Sequence, residues 1–114
     1  MTSKERGRPV ESIIADIDEA GRAVAELIAR GKTAWKDDVL LRLAGEALIG
    51  RIADAANQLP EEVKYSLPDV PWEDIRDIRI LVDHVYHRID YDALWTTLRD
   101  DVPDLLHQLK GWET

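Results

Sequence analysis

The side chains best suited to chemistry in this 114-residue chain crowd into one stretch, Arg76-Asp77-Ile78-Arg79-Ile80-Leu81-Val82-Asp83-His84-Val85-Tyr86-His87-Arg88. Two of the three histidines lie here. Arginine pairs bidentately with phosphate or carboxylate, so Arg76 and Arg79 offer anion recognition. The same residues also have an ordinary helical reading. Asp83 then pairs with Arg79 four residues earlier, His87 and Arg88 favour the negative end of a helix dipole, and Tyr86 is amphipathic surface. Metal chemistry is a further candidate, because His84 and His87 are three apart and Asp104 precedes His107 by three. The acid-x-x-His spacing serves helical di-iron sites, but the residue three before His84 is Leu81, so the pattern is incomplete and no metal is expected. Gly-rich phosphate loops, a nucleophilic serine motif and a basic recognition helix are missing.

Helix geometry constrains what this stretch can do. In an unbroken helix Arg79 and His84 stand about 140° apart around the axis and roughly 7.5 Å apart along it. They converge only if the helix frays near His84 or if a second chain brings its own pair to the same groove. Arg79 and Tyr86, seven residues apart, fall within about 20° of one face.

The elements that must hold this stretch are helical. Val10, Ile13, Ile14, Ile17, Ala20, Val24, Leu27 and Ile28 recur at helical spacing between polar residues, which predicts an amphipathic helix from Pro9 to about Arg30, closed by Gly31. Lys32 to Lys36 reads as a linker. Asp37 or Asp38 then caps a second helix with a stripe from Leu40, Leu43, Ala44 and Ala47 to Ile52, Ala55, Ala56 and Leu59, ended by Pro60. Its small residues make that stripe a close-packing seam, expected to be used within the chain. Glu61 to Leu67 suits one short turn. Pro68-Asp69-Val70-Pro71 breaks the chain before a third helix that opens on Pro71 and Trp72 and carries Ile75, Ile78, Val82 and Val85. Asp90 caps a fourth segment with Leu94, Trp95 and Leu98, and Pro103 either kinks it or starts another helix bearing Leu105, Leu106 and Leu109. No alternating strand pattern competes. The expected fold is all-α, an up-and-down bundle of four to five helices in a single domain over 1–114, with 1–8 as a ragged start.

Composition removes several classes of function. The longest stretches without a charge are six residues, 55–60 and 93–98, so nothing approaches the ~20 apolar residues of a membrane span. The opening Met-Thr-Ser-Lys-Glu-Arg-Gly-Arg-Pro lacks the apolar core of a secretory signal, and a cytoplasmic location is expected. With no cysteine there is no disulfide, thiol nucleophile or thiolate metal site. A formal charge of −8 opposes broad capture of a polyanion, so any nucleic-acid role must be local.

At Arg79-x4-His84-x-Tyr86 the sequence resembles the HepT family of the HEPN superfamily, small all-helical ribonuclease toxins encoded beside a minimal nucleotidyltransferase antitoxin. The Pro71-Trp72 opening, the Ile80-Leu81-Val82 run, Ile89-Asp90, Trp95, and Pro103 followed by Leu105 extend the resemblance over most of the chain. One position departs. The family usually has a polar residue, commonly Asn or Asp, directly after the motif arginine, and here that residue is Ile80. Asp83 or Asp77 is the nearest polar substitute.

The resemblance implies a two-fold homodimer with a composite cleft lined by both motifs, and metal-independent cleavage of RNA. Arg79 would then hold the phosphate, and His84, with a reference pKa of about 6.5, would act as general base or acid. Arg76 and Asp83 are candidate supporting residues. No cofactor is expected for cleavage. The resemblance also implies control by a partner nucleotidyltransferase that transfers AMP from ATP to Tyr86, placing an anion and an adenine beside Arg79. Two alternatives stand beside this one: a non-catalytic dimer that binds a nucleotidyltransferase or a nucleotide, and a helical interaction module with neither role.

Overall fold

The structure, a computed structural model, describes residues 8–84 and 89–113, with the backbone alone for 79–84 and 113. The ragged start expected over 1–8 lies, apart from Arg8, outside the described residues. Everything regular is helical, in the order α1 (Val10–Ala29), α2 (Lys32–Asp37), α3 (Val39–Asn57), α4 (Glu61–Ser66), α5 (Trp72–His84), α6 (Tyr91–Thr96), a π-helical turn (Thr97–Asp101) and α7 (Val102–Glu113). The all-α bundle is the one its apolar periodicity predicts.

The apolar stripe of α1 becomes its inner face. Ile13, Ile14 and Ile17 are essentially fully buried, each contributing about 1.5–3 kcal/mol of transfer free energy. The Pro9 carbonyl accepts the first helical hydrogen bonds, from the Ser12 and Ile13 amides at 3.0 and 3.2 Å. At the other end Gly31 has φ +93°, a conformation that costs glycine little, and the chain turns there. The next helix, α2, occupies the segment expected to be a linker. Six residues are too few to show a 3.6-residue period, and what fixes α2 is tertiary: Trp35 is 1% exposed and its indole lies against α3. The approach is so close that a Cβ built on Gly45 would stand 2.7 Å from the Trp35 ring.

Asp38 caps α3, its carboxylate accepting from the Leu40 amide at 2.9 Å. Gly45, Ile49, Ile52, Ala53, Ala55 and Ala56 face inward, against α1 and α5. The expectation that the whole seam packs within the chain needs correction. Leu40 is 71% and Leu43 51% exposed, and Ala44 and Ala47 are exposed with them. The apolar stripe drifts around the helix, so its first two turns lie on the side that no other described element covers.

The C-terminal run is capped as expected: the Asp90 carboxylate accepts from the Asp92 and Ala93 amides at 3.0 and 3.1 Å. Pro103, expected to kink the run or begin a helix, is the second residue of α7, directly after the π turn. The Val102 amide reaches back five residues to the Thr97 carbonyl, and this widened turn precedes a residue that has no N–H to donate. Leu98, Val102, Leu105 and Leu109 then complete the core. Among the described residues, no helix is long and apolar enough to cross a membrane.

Candidate active site

Helix α5 carries the motif, and its start is firmly tied. The Trp72 indole N–H is within hydrogen-bond distance of two carbonyls, Lys64 at 3.2 Å and Leu67 at 3.0 Å, while the Lys64 ammonium sits 5.9 Å from the ring centre. The Ile75 amide donates to the Pro71 carbonyl at 3.1 Å, so Pro71 and Trp72 open the helix as the sequence predicts. Ile75 and Ile78 are half-buried against the core, whereas Arg76 and Asp77 are exposed. From there the backbone is helical through Arg79, Ile80, Asp83 and His84, the last residue of α5. The helix is thus continuous across both motif positions, and they stand about 140° apart around it. The described backbone is helical as far as His84, and the residues that follow it, where fraying was one of the two routes to convergence, lie outside the described residues. Tyr86, with His87 and Arg88, lies outside the described residues.

Beyond the motif, the segment at Tyr91 is clamped by residues that no motif in the sequence singles out. The Trp35 indole N–H donates to the Tyr91 carbonyl at 3.0 Å, and the two rings meet edge to face at 6.1 Å. The Tyr91 hydroxyl donates to the Glu46 carboxylate. The Arg42 guanidinium lies 5.6 Å from the Tyr91 ring centre and donates to the carbonyls of Trp35 and Lys36 at 3.1 and 2.6 Å. The hydrogen bond to Glu46, followed by burial and the Glu46 charge, pushes the Tyr91 phenol above its ordinary value. It is therefore a firmly held proton donor rather than a nucleophile. Nothing local marks this cluster in the sequence beyond Tyr91 following the Asp90 cap, because its members come from three separate helices.

Electrostatics separate the surfaces around α5. An open cleft of about 130 Å³ borders α3, α5 and α7, lined by Ala53, Ile75, Ile78 and Val102 together with Asp74, Asp101 and Asp104. Burial, followed by the charges of Asp100, Asp104 and Asp74, holds the Asp101 carboxyl above its ordinary value. Such a cleft repels phosphate. Of the two spacings that suggested a metal, the His84 and His87 side chains lie outside the described residues, while Asp104 accepts from Gln108 at 3.0 Å and His107 is exposed. Among the described residues, no three His, Asp or Glu side chains are grouped to hold a metal ion.

Known proteins resemble this arrangement in sequence. The chain matches the family described as "Ribonuclease HepT-like" over residues 17–111. It is 25% identical over 104 residues to the Methanocaldococcus jannaschii protein named "Putative RNase MJ1380", covering 90% of this chain and 95% of that one. Against the Caldanaerobacter subterraneus protein named "Putative RNase TTE0752" the identity is 33% over 75 residues, 66% of each chain. A Thermococcus cleftensis protein named "Probable ribonuclease HepT" is 32% identical over 54 residues, 47% of this chain and 49% of that one. No solved structure matches. The family match begins within α1 and ends within α7, taking in the motif helix and everything that anchors it, and the chain belongs to the HepT-like ribonuclease family.

Proposed function

We propose that this chain is a metal-independent endoribonuclease and the toxin of a toxin–antitoxin pair, acting as a homodimer whose two α5 helices form one composite cleft. The observation that carries this reading is the family match over 17–111, which includes Arg79 and His84 on one continuous helix. The helix separates the two positions, and a second copy supplies the missing convergence. Arg79 holds a phosphate of the RNA through paired N–H donors and stabilises the charge that develops on its oxygens. His84 takes the proton of the ribose 2′-hydroxyl as that oxygen attacks phosphorus, or returns a proton to the departing 5′-oxygen. The P–O5′ bond breaks, giving a 2′,3′-cyclic phosphate and a 5′-hydroxyl. Arg76 and Asp83 support the arginine and the phosphate.

Control follows the same geometry. A partner nucleotidyltransferase transfers AMP from ATP to the Tyr86 oxygen, releasing pyrophosphate, and the new phosphodiester neutralises Arg79 while the adenine fills the cleft. The second reading, a non-catalytic dimer that binds its nucleotidyltransferase partner or a nucleotide, is favoured by Ile80, which stands where the family has a polar residue.

The deciding experiment is cleavage of labelled total RNA in EDTA by the wild-type protein and by a folded His84→Ala variant. Cleavage by the wild type that falls at least about a hundredfold in the variant supports the nuclease. Equal cleavage by both removes His84 from the mechanism, and cleavage by neither leaves the non-catalytic dimer. Intact-mass measurement after incubation with the partner and ATP tests Tyr86, with an added AMP expected and an unchanged mass counting against it.

A further inference from the structure

The cleft between α3, α5 and α7 combines two features of opposite character. Its floor is apolar, with Ile75 and Ile78 half-buried beside the buried Val102. Three exposed carboxylates stand at its rim, Asp74 from α5 and Asp101 and Asp104 from the C-terminal run. Neither Asp74 nor Asp101 makes a hydrogen bond or ion pair among the described residues. One wall of the cleft is the π turn, a geometry that occurs frequently at functional sites.

This arrangement works against the fold. Burial and then the charges of Asp100, Asp104 and Asp74 raise the Asp101 carboxyl, so the three carboxylates repel one another across the hollow. Arg99, in the same π turn, brings no relief, because it pairs with Asp100 at 2.8 Å. Like charges held together around an apolar floor attract a positive group from outside the chain.

Charge and shape narrow the occupant. Nucleic acid and an anionic membrane are repelled. A second copy docked about a two-fold axis through the cleft sets Asp74, Asp101 and Asp104 against themselves. Among the described residues no three acidic or histidine side chains are grouped to hold a metal ion, so the carboxylates ring the cleft rather than chelate across it. A cation on an aliphatic stem satisfies both features: the stem covers Ile75, Ile78 and Val102, and the head reaches the rim. Arginine suits this best, because its five N–H donors can meet separate carboxylates. A second hollow of about 130 Å³ adjoins the first, sharing Ile49, Ile78 and Thr97 with it and continuing to Ala93 and Leu94. The Asp90 carboxylate at that end is committed to the α6 cap, so this hollow takes an apolar side chain.

We infer that the trough along α5 is a docking site for a basic amphipathic helix of a partner protein, with an arginine stem laid on Ile75 and Ile78, its guanidinium held by Asp74, Asp101 and Asp104, and an apolar side chain in the adjoining hollow. A helix laid in a groove presents such anchors on successive turns. The inference stands apart from the nuclease reading, since it uses neither Arg79 nor His84. Because Asp74, Ile75 and Ile78 belong to the helix that carries the motif, the occupant bears directly on α5.

The test reads binding rather than activity. The probe is a fluorescein-labelled amphipathic helical peptide with leucines on one face flanked by arginines, followed by anisotropy, beside the same peptide with citrulline in place of arginine. The arginine peptide is expected to bind the wild-type chain and the citrulline peptide to bind at least about tenfold more weakly. Asp74→Asn/Asp101→Asn/Asp104→Asn is expected to weaken the arginine peptide at least about tenfold. Glu11→Gln/Glu19→Gln/Glu26→Gln removes the same charge from exposed positions of α1 and is expected to change affinity less than about twofold. Thr97→Lys guards against loss of binding through misfolding. It places an ammonium and its stem in the cleft, four residues before Asp101, and is expected to raise the melting temperature while abolishing peptide binding. No binding to the wild type, equal weakening by the two triple variants, or undiminished binding to Thr97→Lys overturns the inference. A change in the light-scattering mass of the aspartate variant would make the occupant a second copy and overturns it as well.

Discussion

Tyr91 shows how one side chain joins parts of the chain that are far apart in sequence. Its hydroxyl reaches Glu46, its carbonyl receives the Trp35 indole N–H, and its ring carries the Arg42 guanidinium. Because its phenol is raised above its ordinary value near 10, the folded state binds the proton more tightly than the unfolded state. The contribution is complete below about pH 10 and is lost as pH rises through the folded value. Tyr91→Phe is expected to lower stability at neutral pH by about 0.5–1.5 kcal/mol and to flatten the alkaline limb of a urea-midpoint-versus-pH profile. Gly45 is constrained differently. With a Cβ at 2.7 Å from the Trp35 ring, Gly45→Ala forces the indole or α3 to move and is expected to cost about 1–3 kcal/mol, read as a lower urea midpoint, despite alanine's better helix propensity. Neither position was legible beforehand. A sequence marks Trp35 as large and Gly45 as small, and only the tertiary contact shows that each requires the other.

At the scale of elements, legibility followed length and local chemistry. The stripe of α1, the Asp38 and Asp90 caps and the Pro71-Trp72 start of α5 are written in neighbouring residues and appear where they were expected. Helix α2 was missed because six residues cannot display a period. The first half of the α3 stripe was assigned inward because periodicity marks an apolar face without saying whether the face is covered by its own chain. The π turn is a third case, where the local chemistry of Pro103 was visible and the widened geometry was not. That turn gathers Asp100 and Asp101 beside Asp74 and Asp104, and Asp101 is pushed up chiefly by burial and then by these charges. A raised carboxyl destabilises the fold once both states are ionised, so Asp101→Asn is expected to raise the melting temperature at pH 7. The gain should shrink as pH falls through the folded value and vanish below about pH 3.8, where the unfolded carboxyl is also protonated.

For the whole molecule, the −8 charge and the arginine-bearing motif helix imply a small electrostatic footprint on RNA. If two to four phosphates are neutralised, the logarithm of the affinity should fall with the logarithm of salt at a slope of about −1.4 to −2.8. Fluorescence anisotropy of a labelled single strand across a salt series measures it, and a slope near −6 would mean a much broader basic surface than this chain offers. The positions of Arg79 and His84 on one helix could be read from spacing alone, whereas their roles came from family resemblance, because one helix holds them apart. The fold also carries its own optical reporter. Trp35 and Trp95 have ring centres 5.6 Å apart at an interplanar angle of 49°, close and skewed enough for their indole transitions to couple. Buried at the point where the chain leaves the motif, this pair should give a strong near-ultraviolet dichroism. Its loss would register loosening of the clamp around Tyr91 while the far-ultraviolet helical signal persists, so local opening and global unfolding can be told apart without a label.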